Sequence, residues 1–383
     1  MNIDKIGPVT IGILGGGQLA RMTAAAGHKL GLRIAILDPE PDSPAQQVAS
    51  LKVVASLDDV SGLENIARIS DLLTLENEFV NAPLLEHIES LGVPIYPTSR
   101  TVSLIQDKLI QKQSLEASGI DVPAFLGVSC KNDILQAGER FGWPLILKAR
   151  RNGYDGRGNE LINGPSEILH AWTKLEGENR TLMVETFVRF KKELAVMVAR
   201  SSNGEAVTYP LVETVHKDHI CHTVKAPASV STVIGERAAL MARRAIEAVD
   251  GVGIFGMEMF LLEDDRILIN EMAPRPHNSG HYTIEACITS QFENHLRAIL
   301  GLPLGSPSMV LPAAAMVNLL ADRNGVTNIS GVEKALKIPG VNLHLYGKKL
   351  SRPSRKMGHI TVLGRSVAEA LERATKAASF ISF

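Results

Sequence analysis

The sequence predicts an α/β protein of three parts. Short runs of β-branched residues alternate with helix-like stretches through the first hundred residues, which is the pattern of parallel strands joined by helices. Strand-like runs fill the middle of the chain to about residue 300. Pro303, Gly305, Pro307 and Pro312 then separate a last, shorter stretch of mixed strands and helix. The 383 residues suffice for two to three domains of about 150 residues each, and we expect these domains at residues 1–100, 101–302 and 303–383.

The charge balance narrows the classes of partner. Forty Lys and Arg residues stand against 41 Asp and Glu residues, for a net charge of −1, whereas proteins that bind nucleic acid or anionic membranes usually carry a cationic excess. Cys130, Cys221 and Cys287 form no CxxC pair and are odd in number, which favours a reducing cytoplasm over a disulfide framework. The longest apolar stretch, residues 310–321, is shorter than the roughly 20 residues that span a bilayer. We expect a cytoplasmic protein without nucleic-acid or membrane partners.

The first part has the pattern of a Rossmann-like domain. The run Gly15-Gly16-Gly17-Gln18-Leu19-Ala20 lies between a predicted strand at 9–14 and a predicted helix at 18–30. Asp38 ends the next strand, at 33–37. In dinucleotide sites such glycines let the backbone approach a pyrophosphate, and the carboxylate holds a ribose. Three interpretations stay open: a nicotinamide cofactor, another bound substrate, or a tight structural turn.

The middle part contains a lysine beside a glycine-rich loop. A helix is predicted at about 101–118, and the apolar strand at 144–148 ends in Lys148. The loop at 153–159, Gly-Tyr-Asp-Gly-Arg-Gly-Asn, follows five residues later. An ammonium group with backbone N–H groups and a guanidinium suits a phosphate site. The alternative is an exposed hairpin loop.

Two carboxylates are predicted to meet across a hairpin. Strands at 253–262 and 266–271 are joined by a short turn containing Asp264 and Asp265, and a two-residue turn there would make Glu258 and Glu271 direct neighbours. Like charges in that position repel each other. Mg²⁺ carrying substrate phosphates would turn the repulsion into coordination. Alternatively, one carboxylate is protonated, or each pairs with its own arginine, for example Arg275.

Two further segments are dense in polar or cationic groups. The loop at 274–281 contains Arg275, His277 and His281, which suit either an anionic substrate or the capping of a following helix. The run at 348–356 holds five cations in nine residues, Lys348, Lys349, Arg352, Arg355 and Lys356. In a charge-balanced chain this run is either a second phosphate site or a solvated hairpin.

Together these motifs resemble the ATP-grasp superfamily of carboxylate-amine and carboxylate-thiol ligases and, within it, the 5-(carboxyamino)imidazole ribonucleotide synthases. The superfamily resemblance depends on the order Lys148, the 153–159 loop, Glu258 and Asn270-Glu271. The family resemblance covers essentially the whole chain and depends most on the motifs at 270–275, 277–281 and 352–359. It implies a Rossmann-like N-terminal domain, a central ATP-grasp domain and a small mixed α/β C-terminal domain that caps the substrate.

The resemblance also implies the ligands of particular residues. Lys108 and Lys148 would contact the phosphates of ATP under a flap formed by Gly153, Tyr154, Asp155, Gly156, Arg157, Gly158 and Asn159. The adenine would lie at Glu185, Thr186, Phe187 and Val188, the ribose at Glu193, and His216, Asn270 and Glu271 close to the nucleotide. Glu258 and Glu271 would ligate Mg²⁺. The ribonucleotide would be held by Tyr154, Asp155, Arg157, Lys348 and Arg355, with Gln18, Glu76 and Asn278 nearby. Asp155, Arg157 and Arg275 are the implied catalytic residues.

The implied reaction is the ATP- and bicarbonate-dependent carboxylation of 5-aminoimidazole ribonucleotide through carboxyphosphate, in purine biosynthesis, by a homodimer. Other ATP-grasp ligases are alternatives, of the formate-dependent glycinamide ribonucleotide formyltransferase or biotin carboxylase type. A nicotinamide-dependent oxidoreductase and a non-catalytic nucleotide sensor are further alternatives. The chain departs from the family pattern at Ala20 and Ser354, which are usually glycines, and at Asn77 and Phe79, whose residue types are exchanged.

Overall fold

The computed structural model describes residues 9–153 and 158–383. The first part is a five-stranded parallel sheet in the order β3-β2-β1-β4-β5 with helices between the strands. Its elements are β1 (Thr10–Leu14), α1 (Gln18–Lys29), β2 (Arg33–Leu37), β3 (Leu51–Val53), α2 (Val60–Arg68), β4 (Leu72–Leu75), α3 (Ala82–Ser90) and β5 (Ile95–Tyr96). β1 and β4 are buried on both faces, as expected of strands covered by helices on either side. The Rossmann-like prediction is confirmed.

Two helices, not one, connect this sheet to the middle of the chain. They are α4 (Ser99–Gln106) and α5 (Lys108–Ala117), and the expectation of a single helix over 101–118 is wrong. Asp107 between them has an extended backbone, and its carboxylate accepts hydrogen bonds from the N–H groups of Leu109 and Ile110. The same carboxylate pairs with Arg150. An Asp that caps a new helix from a non-helical conformation ends the previous one.

The middle part contains two sheets. Its elements are β6 (Phe125–Val128), α6 (Lys131–Phe141), β7 (Leu145–Ala149), β8 (Asn159–Ile162), α7 (Ile168–Lys174), β9 (Leu182–Thr186), β10 (Lys192–Arg200), β11 (Ala206–Thr208), β12 (Val212–Lys217), β13 (Ile220–Ala226), α8 (Thr232–Ala248), β14 (Gly253–Leu261), β15 (Ile267–Ala273), α9 (Thr283–Ala286) and α10 (Gln291–Leu300). An antiparallel sheet of four strands has the order β6-β9-β7-β8. The strands from β10 to β15 belong to a second, nine-stranded sheet, against which α8 packs with Ala238, Ala242 and Ala245.

The last part extends that second sheet. Its elements are β16 (Ala313–Leu320), β17 (Gly325–Val326), α11 (Val332–Leu336), β18 (Val341–Leu345), β19 (Leu350–Ser351), β20 (Lys356–Gly364) and α12 (Val367–Ala378). β16 pairs with β13, so the sheet runs β15-β14-β10-β12-β13-β16-β20-β18, with β11 beside β10. Within the described part of the chain, no helix is long and apolar enough to cross a membrane.

The glycine turn of the first part closes on a carboxylate of the protein itself. Glu76, buried at the end of β4, accepts a hydrogen bond from the N–H of Leu19 in the first turn of α1. Asp38 accepts hydrogen bonds from the N–H groups of Gly16 and Glu40. A Cβ atom on Gly17 would overlap the carboxylate of Glu76. Glycine is required here because the carboxylate occupies the space, and an anion at a helix N-terminus is favourable.

We predict that Gly17→Ala destabilises the protein by roughly 2–3 kcal/mol, because the buried carboxylate of Glu76 must move away from its N–H donors. Urea titration measures the free energy of unfolding. Gly235→Ala is the matched control: nothing lies within 4 Å of the added methyl group, and alanine in a helix is more stable than glycine by about 0.5–1 kcal/mol. Equal midpoints for the two variants would contradict the role given to Glu76.

Candidate active site

Two carboxylates face each other on β14 and β15. Glu258 lies directly opposite Glu271, as the sequence predicts. The predicted turn is wrong: the loop has three residues, 263–265, because the N–H of Leu262 bonds to the carbonyl of Arg266, and Asp265 adopts a positive φ of 61°. The pairing therefore starts one residue out of step with the prediction. A β-bulge at Asn270, which has no partner residue on β14, restores the step before Glu271.

Each of these carboxylates has a cationic or potentially cationic neighbour. Lys108 Nζ lies 2.5 Å from Glu271 Oε2, and His277 Nε2 lies 3.4 Å from Glu258 Oε1. Burial opposes ionisation of Glu258, but its hydrogen bond to His277 and nearby cations lower the pKa of that carboxyl to about 2. Both side chains are 34% exposed. Arg275, which the sequence offered as a partner, pairs instead with Glu78.

The two carboxylates fit a magnesium ion. Hard oxygen ligands on neighbouring strands suit Mg²⁺, which keeps several positions for water and substrate phosphates. In residues 9–153 and 158–383 no group of three or more His, Cys, Asp and Glu side chains forms a cage for a metal. Two protein carboxylates with phosphate ligands are the arrangement that these residues support.

A buried cluster of two lysines and one glutamate joins the four-stranded sheet to helix α5. Glu185 on β9 contacts Lys148 on β7, and its other oxygen lies 3.0 Å from Lys112 Nζ on α5. Burial opposes ionisation of Glu185, but the two lysines lower its pKa to about 2. Sequence reasoning missed Lys112. Its spacing of four residues from Lys108 places both ammonium groups on one face of α5, and that spacing was the available signal.

The other predicted nucleotide residues surround this cluster. Gly158 immediately precedes β8, and Asn159, the first residue of β8, pairs with Lys148. Gly153 lines a cleft together with Lys108 and Glu271. Thr186 ends β9, and Phe187, just after it, is 41% exposed. The predicted adenine segment 185–188 thus continues directly from the cluster. The predicted residues Tyr154, Asp155, Gly156 and Arg157 lie outside the described part of the chain.

Glu193 and His216 form a pair on neighbouring strands. His216 Nδ1 lies 2.7 Å from Glu193 Oε2, on β12 and β10 respectively. Burial would lower the pKa of His216, but the hydrogen bond and charge of Glu193 raise it. His216 thus contacts Glu193, the carboxylate for which the family resemblance implies contact with the ribose.

Basic residues from the last part of the chain converge on the first. Lys348 donates a hydrogen bond to the carbonyl of Lys356 at 2.8 Å, and Arg355 donates to that of Leu350 at 2.7 Å. Burial and the nearby Arg355 lower the pKa of Lys348 to about 8, whereas the charge of Glu76 opposes this shift. Glu76 and Lys348 therefore lie near each other although 272 positions separate them. Cations whose charge is poorly compensated suit an anionic ligand.

Two of the three remaining predicted residues, Asn278 and Arg275, have hydrogen-bond partners within the protein. Gln18 begins α1 beside the turn that Glu76 closes, and Asn278 exchanges two hydrogen bonds with Asn318 on β16, of 3.0 and 2.7 Å. Arg275 donates from two nitrogens to Glu78, a residue that sequence analysis did not assign. This pair ties the loop after β15 to the loop after β4. The charge of Arg275 is compensated and its position fixed.

Family profiles match three successive parts of the chain. The Ribonucleotide synthetase preATP-grasp domain matches residues 9–106, the ATP-grasp domain residues 113–292, and the Phosphoribosylaminoimidazole carboxylase C-terminal domain residues 314–373.

Curated relatives and solved structures resemble the chain over nearly its whole length. N5-carboxyaminoimidazole ribonucleotide synthase of Synechococcus elongatus is 40% identical over 100% of this chain and 96% of its own. Phosphoribosylaminoimidazole carboxylase of Saccharomyces cerevisiae is 44% identical over 95% of this chain, which spans 65% of the yeast protein's length. The crystal structure of N5-carboxyaminoimidazole synthase from Aspergillus clavatus with ADP and 5-aminoimidazole ribonucleotide matches with a TM-score of 0.88 at 38% identity, covering 97% of this chain and 98% of that one.

Proposed function

Because the chain belongs to the N5-carboxyaminoimidazole ribonucleotide synthase family of ATP-grasp enzymes, we propose that it carboxylates 5-aminoimidazole ribonucleotide. The co-substrates are ATP and bicarbonate, the products are N5-carboxyaminoimidazole ribonucleotide, ADP and phosphate, and the pathway is de novo purine biosynthesis. The observation that supports the proposal is a pair of facing carboxylates, of which Glu271 lines a cleft with Lys108, together with buried lysines and a separate basic cluster near Glu76. This combination of charges suits one nucleoside triphosphate and one phosphorylated acceptor.

ATP would bind between the two sheets. Lys108 and Lys148 would meet its phosphates under the 153–159 loop, the segment 185–188 would receive the adenine, and Glu193 with His216 would face the ribose. Asn270 and Glu271 would lie at the phosphates. Glu258 and Glu271 would hold Mg²⁺, which neutralises phosphate charge when bound.

The reaction has two steps. An oxygen of bicarbonate attacks the γ-phosphorus of ATP, the bond to the β-phosphate oxygen breaks, and carboxyphosphate and ADP result. Lys148 and Lys108 would stabilise negative charge on the transferring group, and Arg275 would orient bicarbonate from its fixed position on Glu78. The amine of the ribonucleotide then attacks the carboxyl carbon, phosphate leaves, and the amine loses a proton. Asp155 and Arg157 would act on that amine and carboxyl group.

The acceptor would lie between the first and last parts of the chain. Lys348 and Arg355 would hold its phosphate. Tyr154, Asp155 and Arg157 would hold the rest of the ribonucleotide, and Gln18, Glu76 and Asn278 would lie nearby. We further propose functional domains at residues 1–100, 101–302 and 303–383, a homodimeric assembly and a cytoplasmic location. The three isolated cysteines support the last of these.

The glycine turn disfavours a nicotinamide enzyme. Glu76 occupies the helix N-terminus where a pyrophosphate would bind, and both oxygens of Asp38 accept backbone hydrogen bonds that leave them committed to the turn. Thermal-shift titration should detect ATP with Mg²⁺ and not NADH.

The deciding assay is bicarbonate-dependent ADP release with each candidate acceptor. We expect 5-aminoimidazole ribonucleotide to stimulate release well above the background ATPase, and glycinamide ribonucleotide with formate or a biotin carrier to have no effect. Stimulation by either of the latter alone would replace the proposed acceptor.

We predict that Glu271→Gln lowers turnover by about a hundredfold or more, since an amide replaces a carboxylate ligand of Mg²⁺. We also expect Mg²⁺ to tighten ADP binding to the wild-type protein in calorimetry and to have no such effect on Glu271→Gln. Glu263→Gln, in the exposed turn of the same hairpin, is the control. Wild-type Mg²⁺ dependence in Glu271→Gln would refute the ligand role.

We predict that the apparent KM for the ribonucleotide rises between pH 7 and pH 9 while that for ATP changes little. Lys348 has a pKa lowered to about 8, so its ammonium form, which attracts phosphate, predominates below pH 8 and is lost above it. Initial rates at several pH values measure both constants. Lys348→Arg keeps its charge throughout and should flatten the profile; a profile that persists in this variant would exclude Lys348 as its cause.

A further inference from the structure

Lys112 is buried between the two sheets of the cleft without belonging to either. Its side chain is 3% exposed. Nζ lies 3.0 Å from Glu185 Oε2 on the four-stranded sheet and donates a hydrogen bond of 3.2 Å to the carbonyl of Asn270 on the nine-stranded sheet. One ammonium group thus contacts the lysine-glutamate cluster and the bulge beside Glu271 at once.

The cluster carries one more positive charge than it needs for its own neutrality. Lys112 and Lys148 share the single carboxylate of Glu185. Burying a lysine is costly, and one lysine would have sufficed to pair Glu185. Burial lowers the pKa of Lys112, an effect that Glu185 opposes. The second buried cation therefore leaves the cluster with a net positive charge, which can act on a group outside the cluster.

The field points to an anion at Lys148. If Lys112 were absent, Lys148 and Glu185 would form a neutral pair, and Lys148 would attract a phosphate less strongly. With Lys112 present, the charge of Glu185 is shared between two lysines, because Lys112 lies at one carboxylate oxygen and Lys148 at the other. The bond from Lys112 to Asn270 fixes the ammonium group in this place, since the carbonyl belongs to the bulge of an edge strand.

We propose that Lys112 is a positioning residue for the nucleotide: it compensates Glu185 so that Lys148 keeps its attraction for phosphate. The inference rests on the proposed binding of ATP at Lys148. Lys112 would not contact the nucleotide, and its positive charge would act on the phosphates across Glu185 and Lys148. Its effect should therefore depend on the charge of the ligand and not on its base.

The test compares ADP with adenosine, which has the same base and ribose and no charge. Lys112→Met keeps an unbranched side chain only one atom shorter and removes the charge. We expect it to weaken ADP binding about ten- to thirtyfold, as one charge at roughly 8 Å would, and to leave adenosine binding unchanged. Calorimetry measures ADP, and ligand-observed NMR measures adenosine. Lys112→Arg should retain wild-type affinity for both.

A second variant removes the opposing charge as well. Lys112→Met combined with Glu185→Gln leaves Lys148 with an uncompensated ammonium group, so ADP affinity should recover by most of the loss. If the single variant fails to fold, the double variant is compared with Glu185→Gln alone. The quantity compared is the ratio of ADP affinity to adenosine affinity. In that comparison the two ratios should differ, with the higher ratio in Glu185→Gln.

Lys225→Met is the matched control. Lys225 and Lys192 share Glu213 in a similar lysine-glutamate-lysine group, on the face of the sheet opposite to Glu193 because side chains alternate along β10. This variant should bind both ligands as the wild type does. The inference would be overturned if Lys112→Met lost affinity for ADP and adenosine equally, or lost affinity for neither. Absence of ADP binding to the wild-type protein would overturn the proposed function itself, and the inference with it.

Discussion

The one-residue bulge at Asn270 decides which side chains meet across the central hairpin. Near the turn, Leu261 pairs with Ile267, and the same step continued along the strands would place Glu258 opposite Asn270. The bulge shifts the pairing so that Glu258 meets Glu271. β15 is the edge of its sheet, where an unpaired residue is most easily accommodated. The metal site proposed here depends on that shift.

Helix α5 holds the bulge from outside the sheet. Gln111 donates a hydrogen bond to the carbonyl of Met272 and accepts one from its N–H, and Lys112 donates to the carbonyl of Asn270. These bonds satisfy backbone groups that an edge strand would otherwise leave open. The helix begins at Lys108 because Asp107 caps it, and Lys108 then reaches Glu271. A single capped helix thus fixes the strand, its bulge and one carboxylate.

Local pattern predicted much of this molecule. The alternation of short strands and helices predicted the first sheet, and the two apolar runs around residues 258 and 271 predicted the facing carboxylates. The turn was wrong because a three-residue loop with Asp265 at positive φ replaced the two-residue one, and the bulge cancelled the error. The spacing of Lys112 from Lys108 indicated a shared helix face, but the partners of Lys112 and Glu78 lie 73 or more positions away in the chain, where periodicity carries no information. The composition gives the number of charges of each sign and carries no information on which charged residues pair.

The continuity of the long sheet limits where the protein can open. β13 and β16 pair over four residue pairs, from Thr223 with Val317 to Ala226 with Ala314, so separating the last part of the chain would break a hydrogen-bonded ladder inside a sheet. The basic cluster near Lys348 is therefore held on the same framework as Glu258 and Glu271. The four-stranded sheet has no strand pairing to that framework in the described residues. Lys112 on α5 links the two, since its ammonium group pairs with Glu185 and donates a hydrogen bond to the carbonyl of Asn270. This side-chain connection is weaker than the strand pairing of the framework, because side-chain pairs exchange partners at far lower cost than a hydrogen-bonded ladder separates.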